Sequence, residues 1–194
     1  MASNIGKDNL AIFGYGSLLA DPGELISPHI VARVPYPSPW PIEYARRAKS
    51  HGDGPTLVLY ETGGIVRGQL LVLDLHEDRL AELTEWLWQR EGRPPRELLR
   101  QMECDEFELV LYCDLEVTLK DEEVNAESLA QFAIDSVAKN PERNGIRYLA
   151  GNIEQGIVTP LTYAYRDEIL RRTGTTSLSA AEGEILRALS GGPR

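Results

Sequence analysis

Four apolar residues, Leu10-Ala-Ile-Phe13, run directly into Gly14-Tyr15-Gly16-Ser17-Leu18-Leu19, and this junction constrains the chain more than any other stretch. A short apolar run bounded by glycine predicts a buried strand. A Gly-x-Gly with a hydroxyl residue beside it lets the chain leave that strand abruptly and present backbone N–H groups to something small. Local chemistry leaves two readings open: a tight turn that merely needs glycine, or the cradle of a binding site. The familiar phosphate motifs do not fit. A P-loop needs a lysine directly after its second glycine, and none follows here until Lys49. A dinucleotide-binding turn needs a small residue where Leu19 stands and a long helix after it, which Asp21-Pro22-Gly23 interrupts.

Beyond the loop, six of the twelve prolines fall between residues 20 and 44 (Pro22, Pro28, Pro35, Pro37, Pro39 and Pro41). That density excludes regular helix and predicts an irregular connection wrapping the surface, one wall of a cleft. Thr56-Leu-Val-Leu-Tyr60 and Ile65 to Leu73 read as two strands joined by Glu61-Thr-Gly-Gly64, hence a hairpin, apolar enough to be covered on both faces. Downstream, Phe107–Cys113 and Leu115–Leu119 look like strands. The stretch Val124–Ile134 fits both a strand face and a helix stripe, with strand favoured over Phe132-Ala-Ile134. Helices are expected over 147–156, stopped by Gly156, over 161–172, stopped by Gly174, and weakly from Ser179 onward.

Composition limits the partners. With 194 residues, 42% of them hydrophobic, one domain over 1–194 is expected, its core at about 10–175 and a helical tail beyond. A net charge of −10 argues against nucleic acid and anionic membrane surfaces, and no run of apolar residues is long enough to span a bilayer. Two cysteines and an opening without an apolar signal region suggest a cytoplasmic protein. Neither cysteine suits a nucleophile: Cys104 lies among acids and Cys113 in an apolar strand. His29, His51 and His76 are scattered, so no metal is expected.

From Asp78 to Arg90 the period changes to that of a helix, with Leu80, Leu83 and Leu87 on one stripe and Trp86 flanking it. Gly92 and Pro94-Pro95 should end it. One step further along the stripe is Glu91, so the apolar face ends in a carboxylate. Desolvation and the negative end of the helix dipole both favour the neutral acid, the condition of a general acid/base working near neutrality. The alternative is an ordinary helix-end glutamate, solvated or paired with Arg90 or Arg93. Arg46-Arg47 are equally two-sided, a solvated strand edge or a clamp for a substrate carboxylate.

Together, Gly14-Tyr15-Gly16-Ser17-Leu18 after a strand, Glu91-Gly92 closing a helix, and Tyr148-Leu-Ala-Gly-Asn-Ile-Glu-Gln-Gly-Ile157 resemble the γ-glutamylcyclotransferase superfamily, over residues 10 to about 170. The resemblance implies an α+β fold, a mixed, barrel-like sheet with helices around it, and no cofactor. It places the binding of a γ-glutamyl group on Tyr15, Gly16, Ser17 and Leu18 and the acid/base role on Glu91. Arg46-Arg47 are similar to a basic pair of the glutathione-specific branch. This chain departs from the family where tyrosines are expected after the glutamate and Arg93-Pro-Pro-Arg-Glu-Leu-Leu stands instead.

The implied reaction suits these parts. The α-amino group of a small-molecule γ-glutamyl amide attacks its own γ-carbonyl and releases 5-oxoproline, so folding the substrate correctly supplies much of the rate. A carboxylate shuttles the proton to the departing amine, and backbone N–H groups at Gly16-Ser17-Leu18 meet the oxyanion. The leaving amine stays open among a dipeptide, glutathione, a polyamine and an antibiotic amine. Amide hydrolysis through the same glutamate, or a non-catalytic binding or interaction module, are the alternatives.

Overall fold

A computed structural model describes residues 9–91, the backbone of 96–97, 110–113 and 115–191. In chain order the elements are β1 (Ala11–Gly14), α1 (Ser17–Ala20), β2 (Ile30–Pro37), β3 (Ile42–Ala48), β4 (Gly54–Leu59), β5 (Arg67–Leu73), α2 (Leu80–Glu91), β6 (Arg96–Glu97) and β7 (Val110–Tyr112). The helices α3 (Ala126–Lys139), α4 (Gly145–Glu154), α5 (Thr162–Thr173) and α6 (Leu178–Leu189) follow. This is the expected mixed α+β class. Two compact units divide the chain, residues 1–39 with 67–115, and residues 40–66 with 116–194. Gly92, Arg93, Pro94-Pro95, Cys104 and positions 107–109 of the strand expected at 107–113 lie outside the described residues.

The first unit holds a five-stranded sheet in the order β2-β5-β1-β7-β6. β1 is fully buried between β5, to which it runs antiparallel, and β7, to which it runs parallel. Burial on both faces is why Leu10–Phe13 shows no polar alternation. Leu10, Ile12 and Leu18 share a core cluster with Leu71, Leu73, Leu83, Leu87 and Leu111. The stripe read from the sequence therefore does face this core, with Leu83 and Leu87 completely buried.

Four expectations are corrected here. The proline-rich 20–44 segment is not irregular throughout, because β2 occupies Ile30–Pro37 and pairs with β5. It is an edge strand, and an edge needs hydrogen bonds on one side only, so Pro35 and Pro37 can leave their missing N–H on the open side. The hairpin expected between 56–60 and 65–73 does not form either. β4 pairs with β3 in a separate two-stranded sheet, whereas β5 lies between β2 and β1. The Glu61–Gly64 turn sends the chain from one sheet to the other: Gly64 bridges to Ile42 of β3 and the chain then leaves. β4 and β5 are nonetheless largely buried, as their apolar runs require.

Thirdly, Phe132-Ala-Ile134 is helical. α3 starts at Asn125, whose side chain accepts from Ser128 N, and buries Leu129, Ala130, Ala133 and Val137 at helical spacing. The alternation through Val124, Ala126, Ser128, Ala130, Phe132 and Ile134 was coincidental, since alanine fits either period and favours helix. Leu115–Leu119 is likewise not a strand. Thr118 N and Leu119 N both donate to Ala45 O, the carbonyl freed where β3 bulges between Tyr44 and Arg46.

The second unit packs α3–α6 with the β3-β4 pair. Glycines permit the closest approach: a Cβ on Gly54 of β4 would stand 2.6 Å from Gly145 N, and one on Gly145 would stand 3.0 Å from Ala133 Cα of α3. The expected stops are seen at Gly156 (φ +72) and Gly174 (φ +66). The tail helix α6 is docked, because Glu182 accepts hydrogen bonds from Asn144 and Arg147, and Ala181 is fully buried.

Candidate active site

β1 delivers the loop and α2 delivers the glutamate. Gly16 adopts φ 58, ψ −127, a conformation that only glycine reaches without strain, so the glycine of the Gly-x-Gly pair is required by the backbone itself. The chain then makes the single helical turn α1, closed by Asp21 N donating to Ser17 O at 2.9 Å. Ser17 and Leu18 occupy the first two positions of that turn, where N–H groups have no intrahelical acceptor. These are the donors an oxyanion needs. Leu18 offers only its backbone, since its side chain is buried in the core. Tyr15 is half-buried and its ring lies 6.0 Å from that of Phe13, which in turn meets Tyr36 edge-on.

Glu91 is the last residue of α2. Its side chain is 14% exposed and forms an ion pair with Arg90, one of the partners the alternative reading of an ordinary helix-end glutamate expected. The partial burial expected from the stripe is present, and a guanidinium in contact adds an influence in the opposite sense, favouring the carboxylate. The same Arg90 donates from Nη2 to Ser17 O at 3.2 Å and Asp21 O at 2.5 Å. One guanidinium thus touches both the loop and the glutamate. On the other side of α1, Arg33 Nη1 of β2 donates to Leu19 O at 2.9 Å. Arg33 is not visible as a site residue in the sequence, and Arg90 only as a possible partner of Glu91, because their other partners are backbone carbonyls. Pro22–Ile26 lines an open groove together with Trp86, Gln89 and Arg90.

The arginine pair falls in the second unit and splits. Arg47 is committed locally, its Nε donating to Asp53 O and its guanidinium 4.4 Å from the centre of the Phe132 ring. Arg46 is half-buried, and its buried Nε has no hydrogen-bond partner among the described residues. The structure does not bring Arg47 into an anion clamp.

Other candidates are inert by position. Burial pushes the Cys113 thiol up to about 11, with the nearby Arg90 charge opposing. Burial first, and the Arg143 charge second, push His51 down to about 4, and its ring packs edge-on to Tyr148 at 4.9 Å. His29 stacks on Trp86 and hydrogen-bonds Asp74. Among the described residues no group of three or more His, Cys, Asp or Glu side chains could hold a metal ion, and no helix is long and apolar enough to cross a membrane.

Sequence reasoning passed over one carboxylate. Glu43 of β3 is 2% exposed and accepts from Tyr44 N, Leu161 N and the Thr159 hydroxyl. Desolvation raises its pKa, and those hydrogen bonds pull the other way. No pattern announces it, because Glu43 sits between prolines and apolar residues in a stretch that does not look like a strand.

No family model matches the chain, and no curated protein does. Among solved structures it is similar to two crystal structures of a γ-glutamyl cyclotransferase specific to glutathione from yeast. The first is 17% identical with a TM-score of 0.44, covering 93% of this chain and 99% of that one. The second, selenomethionine-labelled, is 16% identical with a TM-score of 0.43, covering 93% and 96%.

Proposed function

We propose that this protein cyclises γ-glutamyl amides or peptides, releasing 5-oxoproline and a free amine. The observation that carries the reading is the meeting of the two motif parts at one guanidinium: Arg90 contacts Ser17 of the Tyr15-Gly16-Ser17-Leu18 loop and Glu91 together.

The substrate's α-amino nitrogen forms a bond to the γ-carbonyl carbon, and the amide C–N bond breaks. Glu91 takes the proton lost by the α-ammonium and returns it to the departing nitrogen, so no external reactant is consumed. Ser17 and Leu18 N–H groups face the oxyanion, and Tyr15 supplies a ring beside the loop. Arg46 is a separate proposal, an anion-binding side chain whose unpartnered buried Nε supports the role. Replacing it by glutamine should then raise KM with kcat little changed.

The test is purified protein against a panel of γ-glutamyl dipeptides, glutathione, γ-glutamyl polyamines and γ-glutamylated amine antibiotics, with 5-oxoproline and free glutamate both quantified. Cyclisation gives 5-oxoproline. Free glutamate in its place would establish hydrolysis, and neither product, with retained ligand-induced stabilisation, would establish a binding module.

A further inference from the structure

A basic residue in the last turn of a helix ordinarily serves that helix's own terminal carbonyls and its dipole. Arg90 does something else. Its Nη2 donates to Ser17 O and Asp21 O, the first and last carbonyls of the turn that follows Gly16, while its Nη1 pairs with Glu91. Its side chain is only 19% exposed. The aliphatic stem passes over Gly23 (φ +91), where a Cβ would come within 3.7 Å of Arg90 Cδ. Asp21, whose carbonyl Arg90 binds, uses its own carboxylate to accept from Gly23 N at 3.0 Å and so shapes the corner on which that stem rests.

We infer that Arg90 is a positioning residue, a three-way clamp that fixes the Gly16–Asp21 turn against the end of α2 and holds the Glu91 carboxylate in register with it. The inference rests on the cyclotransferase reading above for its kinetic consequences, though not for its structural ones. A planar fork with separate nitrogens can serve three acceptors at once, which an ammonium on a flexible stem cannot do in fixed geometry. Arg33 holds the same turn through Leu19 O but does not touch Glu91, which makes it the natural control. Among the described residues, the other ionisable groups around the clamp are Asp21 and Glu24 on the loop side and Cys113 beyond β7, whose thiol stays protonated at neutral pH.

Arg90→Lys, Arg90→Gln and Arg33→Gln separate the possibilities. Both Arg90 variants should lower kcat roughly tenfold or more with KM within a few-fold, since small misplacements of a catalytic group are costly. They should also move the acid limb of kcat/KM to higher pH, because the carboxylate has lost its cation. Arg33→Gln should speed amide exchange at 17–21 and leave the acid limb in place. Exchange at 17–21 should rise in the Arg90 variants too, while the buried 83–87 turn of α2 stays protected and reports an intact fold. Full rescue by lysine, or an acid limb and loop exchange both unmoved in Arg90→Gln, would overturn the clamp. If wild type turns over no γ-glutamyl amide, the proposed function falls by itself. The clamp is then judged by loop exchange and by a carbon-13 NMR titration of the Glu91 carboxyl with and without Arg90. An unchanged titration rejects it.

Discussion

Two carboxylates, one in each unit, occupy opposite kinds of environment. Glu91 ends a helix at 14% exposure with a guanidinium against it. Glu43 sits in β3 at 2% exposure, where its hydrogen-bond partners are a hydroxyl and two backbone N–H groups, all neutral. Desolvation without a counter-charge holds the proton on Glu43 more tightly. A perturbed carboxyl is often taken as the sign of catalysis, yet here the more deeply buried one closes a structural network: Thr159 reaches both Glu43 and Thr162, and the Thr159 N–H donates to the Thr162 hydroxyl. The proposed acid/base role of Glu91 therefore rests on motif and position, and deep burial of a carboxyl does not by itself mark a catalytic one.

The largest test of that contrast is kinetic. Glu91→Gln should lower kcat by about 10²-fold or more, the range for loss of a general acid/base, with the melting curve retained. Glu43→Gln should leave kcat within a few-fold. Rates of 5-oxoproline release from an active substrate decide it, and the reverse ranking would transfer the acid/base role to Glu43.

Gly16→Val comes next. At φ 58, ψ −127 a β-branched residue is strained by about 1–3 kcal/mol, and relaxing that strain turns the Ser17 and Leu18 N–H groups away. The thermal shift induced by a γ-glutamyl ligand should vanish. An undiminished shift would return the loop to an ordinary turn.

The next two predictions concern the second unit, where the pH response comes from groups buried without charge. His51 is lowered from 6.5 to about 4. Its stabilising contribution is therefore complete above the unfolded pKa and is lost as pH falls from 6.5 toward 4, by up to about 2 kcal/mol at pH 5. Wild type should lose stability to denaturant between pH 7 and pH 5, and His51→Phe should lose less. Glu43 has the opposite sign. Its raised folded pKa favours folding most in acid and less as pH rises, so Glu43→Gln should compare better with wild type at pH 8 than at pH 5. This is the smallest effect, because glutamine also gives up one acceptor. Glu91→Gln, which removes the ionic partner of Arg90, should show no such gain at pH 8, and a gain would mean that the guanidinium does not compensate the buried carboxylate.

Much of the site's local geometry was legible. Gly16 could be assigned a backbone role because no other residue tolerates its conformation, and Glu91 could be placed at the end of a buried stripe because Leu83 and Leu87 repeat at four residues. The parts that failed share a cause. Pro35 and Pro37 read as breakers since their acceptability depends on β2 being an edge, and edge position is a property of the assembled sheet. The apolar strands β4 and β5 read as partners since nothing in either run names its neighbour.

The sequence by itself determined what each residue can do alone: which positions need glycine, which stripes must be buried, where the helices 147–156 and 161–172 stop, and which loop and which carboxylate carry the family likeness. Tertiary structure alone decided which groups meet. That Arg90, beside Glu91, also reaches Ser17 O and Asp21 O, that Arg33 seals the same turn, and that Glu43 is buried among neutral donors are contacts between residues up to 118 positions apart. Most of them run through backbone carbonyls and N–H groups, which every residue carries alike, so no pattern of side chains could have announced them.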